Sequence, residues 1–144
     1  MTPEFREEYE KYLQGLGQPP LVVKVALTLV TFTTEETLHT ISTGDLQVTG
    51  RNPRGVWDRV LECTGETGES FDIKTADNEV VKARSWWDGR IHNSCLIGTK
   101  KYGGGDFRSK RYIDDDGYYV CESTFEPSKE GRAKANITWK FESA

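Results

Sequence analysis

The fold is decided by the stretch Val80–Ile97, which reads VVKARSWWDGRIHNSCLI. β-Branched and aromatic residues stand on both sides of Asp88-Gly89, and this dipeptide supplies the positive φ that a tight hairpin turn requires. The stretch therefore predicts two antiparallel strands, Val80–Trp86 and Arg90–Ile97, joined by a hairpin.

Further strands are predicted on either side, separated by turn signals rich in Gly, Asn and Asp: Thr43-Gly44-Asp45, Asp77-Asn78, Gly103–Gly105 and Asp116-Gly117. The expected strands are Thr37–Ser42, Leu46–Thr49, Val56–Cys63, Ser70–Lys74, Phe107–Ile113, Tyr118–Phe125 and Ile137–Phe141. Consecutive hairpins need no crossover, so the pattern favours an antiparallel meander. Closing it into a barrel of about eight to ten strands would remove both exposed edges and leave room for one small ligand.

The beginning of the chain has helical periodicity. One apolar stripe follows Pro3 and consists of Phe5, Tyr9, Tyr12, Leu13 and Leu16. Gln18-Pro19-Pro20 forces a turn, after which Pro20 opens a second helix through Leu27, although the valines of this segment leave a strand as the alternative. Helices first and strands afterwards predict an all-β domain with a helical cap at about residues 3–28.

Composition limits the possible partners. The 144 residues suit one hydrophobic core, so we predict a single domain spanning residues 1–144, acting as a monomer. The net charge of -4 opposes nucleic acid. The basic runs Lys100–Tyr102 and Arg108–Tyr112 are flanked by Asp106 and Asp114–Asp116, whose charges largely cancel them over a Debye length of about 8 Å. We therefore expect no nucleic-acid partner.

The sequence contains few signals for localisation, disulfide formation or cofactor binding. The most apolar uncharged run, Val25–Thr34, is far shorter than the ~20 residues of a membrane span, and the acidic N-terminus resembles no secretory signal. The expected location is therefore cytoplasmic. Cys63, Cys95 and Cys121 lack CxxC spacing and are expected to be free thiols. No metal, nucleotide or nucleophile motif is present, so we predict no metal and no cofactor.

Two segments resemble the cytosolic fatty-acid-binding proteins, the intracellular lipid-binding protein family. Tyr9–Gly17 followed by Leu21–Ala26 resembles the family's helix-turn-helix. Gly68–Lys82, which reads GESFDIKTADNEVVK, is similar to the family's central Gly-Glu-x-Phe-x-x-x-Thr-x-Asp-Gly-x-x-x-Lys segment, with Asn78 in place of the glycine. The likeness covers roughly Tyr9 to Phe141.

The resemblance implies a ten-stranded up-and-down barrel, capped by two helices, around a cavity that holds a fatty acid or similar lipid. Family members hold the ligand carboxylate with one Arg on a late strand, here Arg111 or, in a competing register, Arg108. They also use an Arg-x-Tyr pair on the last strand, where this chain has Trp139-x-Phe141. The family's first strand precedes its helices, so here it is either absent, leaving nine strands, or replaced by a segment such as Val25–Thr34.

The candidate binding residues combine a polar anchor with aromatic walls: Arg111, Arg108, Trp139, Phe141, Phe71 and Tyr119. The predicted function is non-enzymatic binding and carriage of a hydrophobic small molecule, with transient membrane contact through the helical cap. Two alternatives stay open. One is an enzyme that encloses a lipid-like or polycyclic substrate and uses His39 or His92 as acid or base; the other is an interaction module with a filled barrel.

Overall fold

The computed structural model describes residues 3–29, 35–41, 44–52, 55–65, 67–74 and 79–141. Two helices come first, α1 (Pro3–Gly15) and α2 (Pro20–Leu29). Nine strands follow: β1 (Glu35–Thr40), β2 (Leu46–Asn52), β3 (Gly55–Leu61), β4 (Phe71–Lys74), β5 (Val80–Asp88), β6 (Ile91–Thr99), β7 (Gly105–Ile113), β8 (Tyr119–Pro127) and β9 (Ala135–Phe141). A short 3-10 turn, Lys101–Gly103, precedes β7.

Both predicted helices and all nine predicted strands are confirmed to within a few residues. The periodicity explains this agreement, because Tyr9, Leu13 and Leu16 recur on one face of α1 and are each only 4% exposed. In the hairpin between β5 and β6, Gly89 has φ of 60°, as its turn requires. The predicted turn at Asp77-Asn78 and residues 30–34 of the candidate replacement strand lie outside the described residues. Residues 25–29 of that candidate are helical.

The expected closure into one barrel is corrected by the structure. The described strands form a three-stranded sheet, β1-β2-β3, and a six-stranded sheet, β4 to β9, in which all neighbours are antiparallel. Strands β1 and β9 do not pair, because the chain ahead of β1 is folded into α1 and α2 among the residues that the structure describes. The sheets therefore face each other with an open seam between β1 and β9.

Helix α1 packs against β9 beside this seam. The rings of Phe5 and Tyr9 each lie 5.2 Å from the Trp139 ring. The amide of Thr138 donates a 2.7 Å hydrogen bond to Glu8 Oε1. Because β9 is an edge strand, this bond occupies an amide that would otherwise be available to another chain.

The interior contains two apolar clusters. One joins the helices to β8 and β9 and includes Leu13, Phe125 and Ile137; the other joins β2 and β3 to β4 and β5 and includes Val48 and Ala83. Burial of such side chains contributes about 1.5–3 kcal/mol each relative to exposure. Between the clusters lies a region lined by both polar and aromatic groups.

Two observations concern the cysteines and the length of the helices. Cys63, Cys95 and Cys121 are free thiols, and the last two are buried. Neither described helix is long and apolar enough to cross a membrane.

Candidate functional site

A cavity of about 310 Å³ lies between the two sheets. Its lining combines three large aromatic side chains, three charged ones and three small ones: Trp57, Trp139 and Phe141; Glu36, Arg59 and Arg111; Val48, Cys121 and Ser123. Its volume is at the lower end of the range for small-molecule sites, which is roughly 300–1,000 Å³. A mostly apolar wall with a few polar groups is the usual composition of such a site.

The register of β7, β8 and β9 determines which side chains form one wall of this cavity. Arg111 of β7, Cys121 of β8 and Trp139 of β9 are directly opposite one another across the six-stranded sheet. Residues opposite each other in antiparallel strands share a face of the sheet. The inward direction of Arg111 therefore follows from the same alternation that turns Trp139 inward.

The facing wall depends on Gly50. Glu36, Gly50 and Trp57 are opposite one another across β1, β2 and β3. A Cβ at Gly50 would overlap the indole ring of Trp57, so glycine allows this ring to lie across β2. Trp57 Nε1 thereby donates a 3.2 Å hydrogen bond to Glu36 Oε2, two strands away.

Arg111 is held at one end of its guanidinium group. Its NH1 donates a 2.9 Å hydrogen bond to Ser94 Oγ on β6. Its Nε is buried and has no hydrogen-bond partner. A buried N–H without an acceptor costs about 1–3 kcal/mol, so this group is suited to an acceptor oxygen delivered by a ligand.

Arg59 supplies a second cationic group. Its Nε is also buried and has no hydrogen-bond partner. Arg59 lines both the first cavity and a second one of about 170 Å³, whose lining includes Val81, Leu96 and Phe107. Burial and the neighbouring Arg111 lower the pKa of Arg59, while Glu36 raises it. Arg59 therefore lies at the boundary between the two cavities.

Glu36 is the acidic group among the residues that line the first cavity. Its Oε1 accepts a 2.6 Å hydrogen bond from the hydroxyl of Tyr119 on the opposite sheet. Burial raises the pKa of Tyr119, and Cys121 and Glu36 raise it further, so the phenol stays protonated and acts as the donor.

His92 lies beside the site. It pairs with Arg111 in the register of β6 and β7, and its ring lies 5.0 Å from that of Trp87. The side chain is 1% exposed, and both ring nitrogens lack hydrogen-bond partners. Burial, with a contribution from Arg111, lowers the pKa of His92 to about 4. The ring is therefore neutral at pH 7.

Of the six site residues predicted from the sequence, three line the cavity and three lie elsewhere. Arg111, Trp139 and Phe141 line the cavity. Arg108 is corrected: it lies on the outer face of β7, where its Nε is 2.9 Å from Glu126 Oε1, because it is an odd number of positions from Arg111. Phe71 packs against the cluster of β2 to β5 and is not among the residues that line this cavity, so its part in binding stays a prediction.

Tyr119 interacts with two residues of the cavity lining, Glu36 through a 2.6 Å hydrogen bond and Arg111 through its side chain.

Sequence analysis missed Glu36 and Arg59. Arg59 stands between Trp57 and Leu61 at alternate positions of β3, so the period of two could have placed it on the inward face. Glu36 carries no such signal, because its strand is mostly exposed and polar. Its role depends on Tyr119, a contact 83 residues away along the chain.

Comparison with known proteins shows the fold. No family model and no curated protein matches the sequence. Among solved structures, the REP1-NXSQ fatty acid transporter aligns with a TM-score of 0.64 at 14% identity, over 95% of this chain and 90% of its own. The fatty acid-binding protein in brain tissue of Drosophila melanogaster aligns with a TM-score of 0.62 at 16% identity, over 93% of this chain and 90% of its own. The predicted resemblance is thus confirmed at the level of the fold, which is that of the intracellular lipid-binding proteins.

Proposed function

We propose that this protein is a non-enzymatic binder and intracellular carrier of a hydrophobic small molecule with a carboxylate, such as a fatty acid. The observation that carries the proposal is a pair of arginines, Arg59 and Arg111, whose buried Nε atoms have no hydrogen-bond partner. Both line a cavity walled by Trp57, Trp139 and Phe141. The names of the solved structures of the same fold, a fatty acid transporter and a fatty acid-binding protein, support the same ligand class.

The expected affinity follows mainly from the apolar surface area that the ligand buries on binding. Burying about 300 Å² of apolar ligand surface contributes roughly 7 kcal/mol at about 25 cal/mol per Å², and association costs subtract a comparable sum. A charge-assisted hydrogen bond to each free Nε adds about 1.5–3 kcal/mol. The surplus of about 3–6 kcal/mol corresponds to a Kd between about 6 mM and about 40 μM.

The positions of the two histidines support a non-enzymatic role. His39 is exposed on β1, outside the cavity lining. His92 is sealed from solvent and has a pKa lowered to about 4, which makes it a weak base for chemistry at neutral pH.

The test is a competition experiment with an environment-sensitive fluorescent fatty acid. Dodecanoate and dodecanol displace the probe, and their affinities are compared for the wild type and Arg111→Ala. We expect dodecanoate to bind about ten- to hundredfold more weakly to the variant, because one cationic partner is lost, while dodecanol changes by less than about twofold.

Arg108→Ala is the matched control, because Arg108 lies on the same strand but faces outward. It should leave both affinities unchanged. Equal losses for the acid and the alcohol in Arg111→Ala would remove Arg111 from the site, and the absence of any saturable signal in the wild type would refute the proposed function.

A further inference from the structure

Glu36 is an unusual component of a site that is to receive a carboxylate. It comes from β1 of the small sheet and meets Tyr119 of the large sheet across the cavity at 2.6 Å. Its second oxygen is bound by the Trp57 indole at 3.2 Å. Two hydrogen bonds from different sheets hold this carboxylate in the cavity wall, so its position is set by the fold.

The charges of the cavity wall do not balance. Two guanidinium groups, Arg59 and Arg111, stand with one carboxylate, Glu36, which leaves one net positive charge among the lining residues. Glu36 interacts electrostatically with Arg59. It raises the pKa of Arg59, whereas burial and Arg111 lower it. The three charged residues are partly buried, so their charges are screened less than fully exposed ones and the charge count affects affinity.

We propose that Glu36 is a specificity-determining residue that limits the site to ligands with one negative charge. This inference rests on the proposed function and adds to it the charge class of the ligand. A monocarboxylate neutralises the single surplus charge of the wall. A dianionic headgroup, such as a phosphate monoester, would place a second negative charge beside Glu36 with no cation left to offset it.

The test uses three amphiphiles with the same alkyl chain: dodecanoate, dodecyl phosphate and dodecanol. At about pH 8 the phosphate carries nearly two negative charges. The wild type should bind dodecanoate more tightly than dodecyl phosphate. Glu36→Gln keeps an acceptor oxygen for Tyr119 but removes the charge, so the preference should shift toward the phosphate by about tenfold, with dodecanol changing by less than about twofold.

Two further variants separate charge from structure. Glu36→Asp keeps the negative charge and should keep the wild-type preference. Glu35→Gln is the matched control, because Glu35 is the neighbouring residue on β1, exposed and paired with Arg51 at 2.7 Å. It should leave all three affinities unchanged.

The outcomes are distinct. Parallel changes for all three amphiphiles in Glu36→Gln would indicate a structural role and overturn the proposal. A wild type that prefers dodecyl phosphate overturns it without any variant. If the wild type binds dodecanoate through Arg111 but Glu36→Gln leaves the preference unchanged, the charge selection is wrong and the proposed function stands. If the wild type binds none of the amphiphiles, the proposed function itself fails.

Discussion

Single residues in the interior show how burial decides chemistry in this protein. His92 is 1% exposed and lies beside the permanently charged Arg111. Both conditions oppose a second positive charge, and they lower the pKa of His92 from 6.5 to about 4. In the unfolded chain the same ring takes up a proton near pH 6.5, so the unfolded state binds more protons between these two values.

At the residue scale we therefore predict that the free energy of unfolding falls as the pH is lowered from about 6.5 to about 4, with His92 contributing about 3 kcal/mol of the loss. His92→Leu removes this contribution, because leucine has no proton to gain. Urea denaturation of the wild type and the variant at pH 7 and pH 4 measures the difference.

A substitution of exposed His39 by glutamine serves as the control and should show the loss seen in the wild type. If the wild type and His92→Leu lose the same free energy between the two pH values, the buried histidine is not responsible.

Among the elements, helix α2 is buried on one face only. Val23, Ala26 and Leu27 are buried in the helix-side cluster. Leu21 and Val25, one turn apart, are 73% and 48% exposed. The transient membrane contact expected from the sequence would use this apolar pair, because exposed apolar groups at a helix surface can enter the interface of a bilayer.

At the element scale we predict that Leu21→Ser combined with Val25→Ser slows transfer of a fluorescent fatty acid to phospholipid vesicles several-fold, while the equilibrium affinity is unchanged. The rate is measured by stopped-flow mixing with vesicles that contain a quencher.

Val56 and Val60 provide the comparison, since they are 74% and 40% exposed on β3, outside the helical cap. Serine at both of these positions should leave the transfer rate unchanged. An equal slowing by the two double variants would mean that α2 has no special part in transfer.

For the whole molecule, the two sheets are joined on both sides of the cavity. On one side Ser85 Oγ of β5 donates a 2.8 Å hydrogen bond to the carbonyl of Glu62, next to a parallel bridge between Cys63 and Ser85. On the other side, where β1 and β9 do not pair, the sheets are connected by the hydrogen bond between Glu36 and Tyr119. This bond therefore has a structural effect at the seam as well as its place in the site.

At this scale we predict that Tyr119→Phe lowers the free energy of unfolding by about 1–3 kcal/mol, because Glu36 loses a donor while it stays partly buried. Amide hydrogen exchange in β1 should become faster, as measured by mass spectrometry of the native protein.

Tyr112→Phe is the control, because Tyr112 lies on the face of the six-stranded sheet that points away from the cavity. Its hydroxyl bonds Glu122 near solvent. It should have a much smaller effect on both quantities. Unchanged exchange in β1 after Tyr119→Phe would show that the seam is held by other contacts.

Much of the fold was predictable from the sequence, because its signals are local. The stripe of Tyr9, Leu13 and Leu16 and the turn at Asp88-Gly89 each depend on residues close together in the chain. The alternation in β9 likewise predicts that Trp139 and Phe141 share a face, and both line the cavity. Local rules left Arg108 and Arg111 as competitors, since the register of β7 was not determined by its own residues.

Local patterns were thus enough to predict the first helix, the nine strands and the inward face of the last strand, and they favoured the second helix over a strand. Three features depend on how the sheets pack: the separation of β1 from β9, the inward position of Arg111, and the contact of Glu36 with Tyr119. The physical reason is distance along the chain. Periods of two and of 3.6 are set by backbone geometry within an element, whereas a contact between residues 83 positions apart depends on how whole sheets pack.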